Sequence, residues 1–311
     1  MNKSEILLSL SNVGVLPIVA KFNSLPFTEF ASSCYGFPFG CAICYLLFCF
    51  IGYKMIRFQR AFDLQMNNLL WNAALCVISF AGMCRTLPLL LSVVYAPSPS
   101  VYESLCVLGN VYSDGPGGLW VGVFVCTRIF QLLDTMFIIL RKKPLQVVHW
   151  FQHVTMLIYC WDAFATRSPL LLGIAGANFT LNAIMYGSLC LVALKLKVVN
   201  LSAVPLMITV MQICESFMGL VLCSVSLFFI MKGSDCGNPR NTIAGIMIYG
   251  SILFLQGSLE WNKYLMALRL KNRKVTVTFA KAEYFNNTRT EYYIKQERKK
   301  LEALSITKKV Q

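Results

Sequence analysis

Apolar runs long enough to cross a bilayer alternate along this chain with short polar stretches, and that alternation predicts an all-α polytopic membrane protein with about seven transmembrane helices. After an amphiphilic lead-in over residues 1–31, the first span runs roughly from Tyr35 to Ile56 and the second from Leu69 to Val94, with Arg85 inside it. A loop without Lys or Arg follows and ends in Gly115-Pro116-Gly117-Gly118, which reads as a turn. The third span covers roughly Leu119 to Leu140 and the fourth Leu145 to Phe164. A fifth span ends at Lys195 and Lys197, a sixth runs from about Ala203 to Met231, and a seventh from about Thr242 to Leu268. Residues 1–268 then form one membrane domain, and residues 269–311 a basic polar tail.

Charge gives the spans a direction. Most Lys and Arg residues follow spans one, three and five or lie in the tail, so the N-terminus is expected on the lumenal side and the tail in the cytosol. The first span is expected to serve as the targeting signal, since no apolar stretch with a small-residue cleavage site precedes it. A net charge of +14 could point to nucleic acid, but the basic residues fall in short clusters between spans and give no nucleic-acid face. The membrane lipid itself is the expected surrounding partner. With 57% hydrophobic and only 14% charged residues, a soluble domain is excluded. Most of the 13 cysteines, Cys41 and Cys44 among them, lie in apolar runs and read as small hydrophobes.

Against this apolar background, the stretch from Arg128 to Asn182 stands out. It places Gln131, Asp134, His149, Gln152, His153 and Asn182 inside predicted spans, where polar groups mark an interior cavity. His149 and His153, the only histidines, are spaced i and i+4 with Gln152 at i+3, so one helix face carries all three. The same pattern also fits helix-to-helix hydrogen bonding. Two histidines and Asp134 fall short of the ligand sets of membrane iron enzymes, so no metal is expected. Arg85 is either a charge partner for Asp134 or a contact for a phosphate nearer the cytosol.

These residues resemble the ELO family of fatty-acid elongases. The resemblance rests on Leu132-Leu133-Asp134-Thr135-Met136-Phe137 leading to Arg141-Lys142-Lys143, and on His149-Trp150-Phe151-Gln152-His153. It continues through Asn182-Ala183-Ile184-Met185-Tyr186 and Thr209-Val210-Met211-Gln212 to the dilysine ending Lys308-Lys309. It implies condensation of a long-chain acyl-CoA with malonyl-CoA in helices enclosing an acyl tunnel, with no further cofactor. It also implies an endoplasmic-reticulum membrane, retrieval through Lys308 and Lys309, and neighbouring enzymes of the elongation cycle. His149, Gln152, His153, Asn182 and Asp134 fall at the implied catalytic positions. Arg128, Gln131, Tyr186, Gln212, Lys142 and Lys143 fall at substrate-binding ones. Cysteines in comparable loops of the family, and the oxidising lumen, imply a disulfide between Cys106 and Cys236.

The chain departs from the family pattern at several places. Lys-x-x-Glu-x-x-Asp-Thr becomes Arg128, Gln131, Asp134 and Thr135, and His-x-x-His-His becomes His149, Gln152 and His153. Asn182 stands where His-x-x-Met-Tyr has its histidine, and Thr-x-x-Gln-x-x-Gln becomes Thr209, Gln212 and Glu215. Two imidazole positions are therefore amides, which are neither useful nucleophiles nor titratable bases. A catalytically inactive relative that binds acyl-CoA or regulates an active elongase is the alternative expectation.

Overall fold

The computed structural model describes residues 19, 21–56, 58–94, 101–102, 105–106, 115–194 and 204–272, and these form an all-helical bundle. A short helix α1 (Leu25–Ser33) opens it, with Pro26 in the first turn, where the missing amide hydrogen costs no helical bond. Helix α2 (Gly36–Ile56) passes through a π-turn at Phe48–Gly52. Then come α3 (Gln65–Val94), α4 (Gly115–Leu140), α5 (Val147–Ala165), α6 (Leu170–Ala193), α7 (Val204–Met231) and α8 (Pro239–Asn272).

Six of these, α2, α3, α4, α6, α7 and α8, are long and apolar enough to cross a membrane. Helix α5 has 19 residues, and His149, Gln152, His153 and Asp162 lower its hydropathy. Among the described residues, six helices rather than the expected seven therefore meet the apolar measure, and the exception is the helix that carries both histidines. Gly117 and Gly118, read from sequence as a turn, instead lie buried in the first turn of α4. Of the glycines in this stretch only Gly115 adopts the left-handed region, at φ 64°, and its amide donates to the Phe22 carbonyl at 2.8 Å.

Small residues let the helices approach closely, as association without a hydrophobic drive requires. At Gly82 on α3 a Cβ would lie 2.6 Å from the Phe179 ring of α6, so only glycine admits that ring. Phe179 also meets Phe124 of α4 edge-on at 5.8 Å between centroids, and both rings are fully buried.

Helix α5 touches α1, α2, α4, α6 and α8. Its C-terminal end is held by polar bonds. Asp162 accepts from the Tyr35 hydroxyl at 2.9 Å and from Asn241 Nδ2 of α8 at 2.7 Å. Trp161 Nε1 donates to the Ala31 carbonyl of α1 at 3.0 Å. At the same end of the bundle, Cys106 and Cys236 are joined in a disulfide across 130 residues of chain.

Candidate functional site

The site is built around Asp134, near the C-terminal end of α4. Its Oδ1 accepts the indole N–H of Trp71 from α3 at 2.5 Å, and its Oδ2 accepts the Tyr186 hydroxyl from α6 at 2.6 Å. A carboxylate removed from water needs such donors on both oxygens. Arg85 lies fourteen residues beyond Trp71 on α3, about 21 Å along the axis, which is too far to pair with Asp134.

The next residue on α4, Thr135, shares a hydrogen bond of 2.7 Å with the Tyr45 hydroxyl of α2. The Tyr45 ring faces His153 at 6.3 Å between centroids. His149 and His153 pack edge to face at 4.5 Å, so the i, i+4 spacing does bring the two imidazoles together. His149 Nε2 is buried and has no hydrogen-bond partner. Gln152 is half-buried on the same face, and no described residue hydrogen-bonds its side-chain amide.

Arg128 is the unusual member. It is only 8% exposed, its guanidinium lies 4.4 Å above the Phe124 ring, and its Nε and Nη2 are buried without partners. Gln131, one turn further along α4, is buried as well. Buried cations normally carry a full set of acceptors, so these free donors need a ligand to complete them.

Asn182 is linked to a different helix through Asn178. Its Nδ2 donates to Asn178 Oδ1 at 2.7 Å, and Asn178 Nδ2 donates to Glu215 Oε1 on α7. Gln212, one turn before Glu215, instead lines a cleft between the start of α5, α7 and α8 together with Gln146, Thr209, Gln256 and Glu260. Gln256 is 5% exposed, and neither its Nε2 nor its Oε1 has a partner. Lys142 lies in the tight turn after α4 at φ 54°, and its ammonium donates to the Gln59 carbonyl. Lys143 closes the same turn through its amide, which donates to Ile138 at 2.9 Å. Lys308 and Lys309 lie outside the described residues.

Sequence reasoning missed Trp71, Tyr45, Asn178 and Gln256. Trp71 and Tyr45 pass for ordinary aromatics of a span. Asn178 could have been found from its place one turn before Asn182, and Gln256 from its isolation in an apolar run.

A bundle of apolar helices turning a buried arginine, an aspartate and two histidines toward one interior defines a multi-pass membrane protein with a polar site inside it. A model of the GNS1/SUR4 (ELO) family matches residues 30–272, and the chain belongs to that family of fatty-acid elongases. Fatty acid elongase 3 of Trypanosoma cruzi is 30% identical over 245 residues, covering 71% of this chain and 81% of that protein. Very long chain fatty acid elongase 6 of Drosophila melanogaster is 28% identical over 242 residues, covering 76% and 74%.

Proposed function

We propose that this protein condenses a long-chain acyl-CoA with malonyl-CoA, giving 3-oxoacyl-CoA, carbon dioxide and CoA. The observation that carries the reading is the buried Arg128 guanidinium, two of whose nitrogens have no described partner, in a chain of the elongase family. In this reaction the carbon–carboxylate bond of the malonyl unit breaks, and its electron pair forms the new bond to the acyl carbonyl carbon. The acyl carbon–sulfur bond then breaks, and the departing CoA thiolate takes up a proton.

Negative charge passes through thioester oxygens along this path, and fixed donors in a dry site stabilise it strongly. Arg128 supplies those donors. Gln152 and Asn182 hold groups by hydrogen bonds but cannot carry an acyl group or titrate near neutral pH. The acyl group therefore passes directly to the malonyl-derived carbanion, with His149 and His153 as the imidazoles left to handle protons.

The amide-lined cleft with Gln212 and Gln256 suits the amide-bearing pantetheine arm of CoA. Arg141, Lys142 and Lys143 would meet its phosphates at the cytosolic mouth. Such a reaction would run in the endoplasmic-reticulum membrane, beside the reductases and dehydratase that would consume the 3-oxoacyl product.

A second reading is favoured by Gln152 and Asn182 themselves: a non-catalytic relative that binds acyl-CoA or an active elongase. Purified protein incubated with labelled malonyl-CoA and a panel of acyl-CoAs separates the two. Product that vanishes in H149A or H153A establishes condensation. Product made only by a Gln152→His, Asn182→His variant establishes the second reading.

A further inference from the structure

Two of the departures from the family pattern, on different helices, are linked through one intervening residue. Asn182 on α6 and Glu215 on α7 are joined through Asn178, by a hydrogen bond from Asn182 to Asn178 and another from Asn178 to Glu215. Asn178 and Asn182 are 2% and 8% exposed, so water cannot readily replace either bond. The relay has a direction. A carboxylate only accepts, so Glu215 requires the amide nitrogen of Asn178 to face α7. That leaves the Asn178 oxygen toward Asn182, which must then turn its own nitrogen to Asn178. What remains is the Asn182 oxygen, Oδ1, to which no described residue donates, and the second hydrogen of its nitrogen.

We infer that Glu215 is a positioning residue that commits Asn182 to presenting a hydrogen-bond acceptor to the acyl site. This rests on the condensing reading above and divides the labour within it. Arg128 offers only donors, and its Nε and Nη2 are free. Asn182 offers its oxygen as an acceptor. Developing negative charge on a thioester oxygen is therefore drawn to Arg128 and kept off the Asn182 oxygen. The Asn182 oxygen receives an N–H or O–H, such as an amide of the pantetheine arm or the proton-bearing nitrogen of an imidazole. With glutamine at 215, as in the family pattern, the end group both donates and accepts. Both asparagine amides can then turn over, and the polarity at Asn182 is lost.

The test uses the full chain in lipid nanodiscs, comparing wild type with E215Q, E215D, N182A and the N182A/E215Q double variant. With acyl-CoA and malonyl-CoA, E215Q is expected to lower kcat by about tenfold, the equivalent of one buried hydrogen bond, with KM changed by less than about twofold. E215D restores most of the rate. Adding E215Q to N182A costs nothing further, because the relay no longer has an end to orient. An equal loss from E215Q in both backgrounds, or a loss carried by KM, overturns the inference.

A second measurement needs no turnover. Infrared difference spectra between wild type and E215Q are expected to lose the stretch of an ionised carboxylate. Loss of a protonated-acid carbonyl stretch instead overturns the relay, since a protonated acid also donates. Wild type that makes no product refutes the condensing reading, and the infrared result still decides the state of Glu215.

Discussion

Tyr186 donates its hydroxyl to Asp134 at 2.6 Å, and this one bond ties α6 to α4 inside the bundle. With Trp71 on the other oxygen, the aspartate holds three helices at a common point. Asp134→Asn replaces an acceptor-only group by one whose nitrogen must face one of the two donors, so it is expected to destabilise the bundle by about 1–3 kcal/mol. Tyr186→Phe removes a single bond and should cost less. Thermal unfolding of D134N, Y186F and the double variant in detergent checks this, and the double variant should lose less than the sum of the singles.

Arg128→Met is expected to separate stability from activity. The methionine relieves two buried, unpartnered nitrogens, so the thermal midpoint should stay level or rise. Condensation should fall by about a hundredfold or more, since the fixed donors are gone. Arg128→Lys keeps the charge but loses the planar fork, and should recover only part of the rate. Melting curves and initial rates on the same preparations read both effects.

Removing the disulfide with C106A/C236A releases a closed loop of 130 residues. Loop entropy of that size corresponds to at most about 5 kcal/mol of stability. A lower thermal midpoint is expected. On non-reducing gels wild type should shift with reductant, whereas the variant should not.

Gly82→Ala places a methyl group against the Phe179 ring, where the available distance is 2.6 Å. Overpacking of this kind is expected to cost about 1–3 kcal/mol. Because the ring itself is the obstacle, Phe179→Leu should recover part of the loss in the double variant, as thermal unfolding would show.

Much of the scaffold was legible in the sequence, because crossing a bilayer forces long apolar helices whatever the partners are. The site helix was legible for a different reason: His149, Gln152 and His153 repeat at helical spacing where an apolar run should be. Its polar face is also what keeps α5 below the apolar measure that its six companions meet. Less could be read of the bonds that make the residues a site. Trp71 and Asp134 are 63 residues apart, and Tyr45 and Thr135 are 90 apart. Nothing in the local sequence of either partner announces the other. The Asn182 departure was visible, but its mechanical link to Glu215 runs through Asn178, which looks like an ordinary polar residue of a span.

Asp162 lies nine residues beyond His153 on α5, about 14 Å along the helix axis. Its bonds to Tyr35 and Asn241 clamp that end of the helix, while the histidine end is met mainly by aromatic rings. A rigid helix clamped at one end transmits any twist at the clamp to its free end. A rotation at Asp162 would turn both imidazoles with it without altering any residue near them. Inactivating changes should therefore be found at Tyr35, Asp162 and Asn241, at the opposite end of the helix from the chemistry they disable.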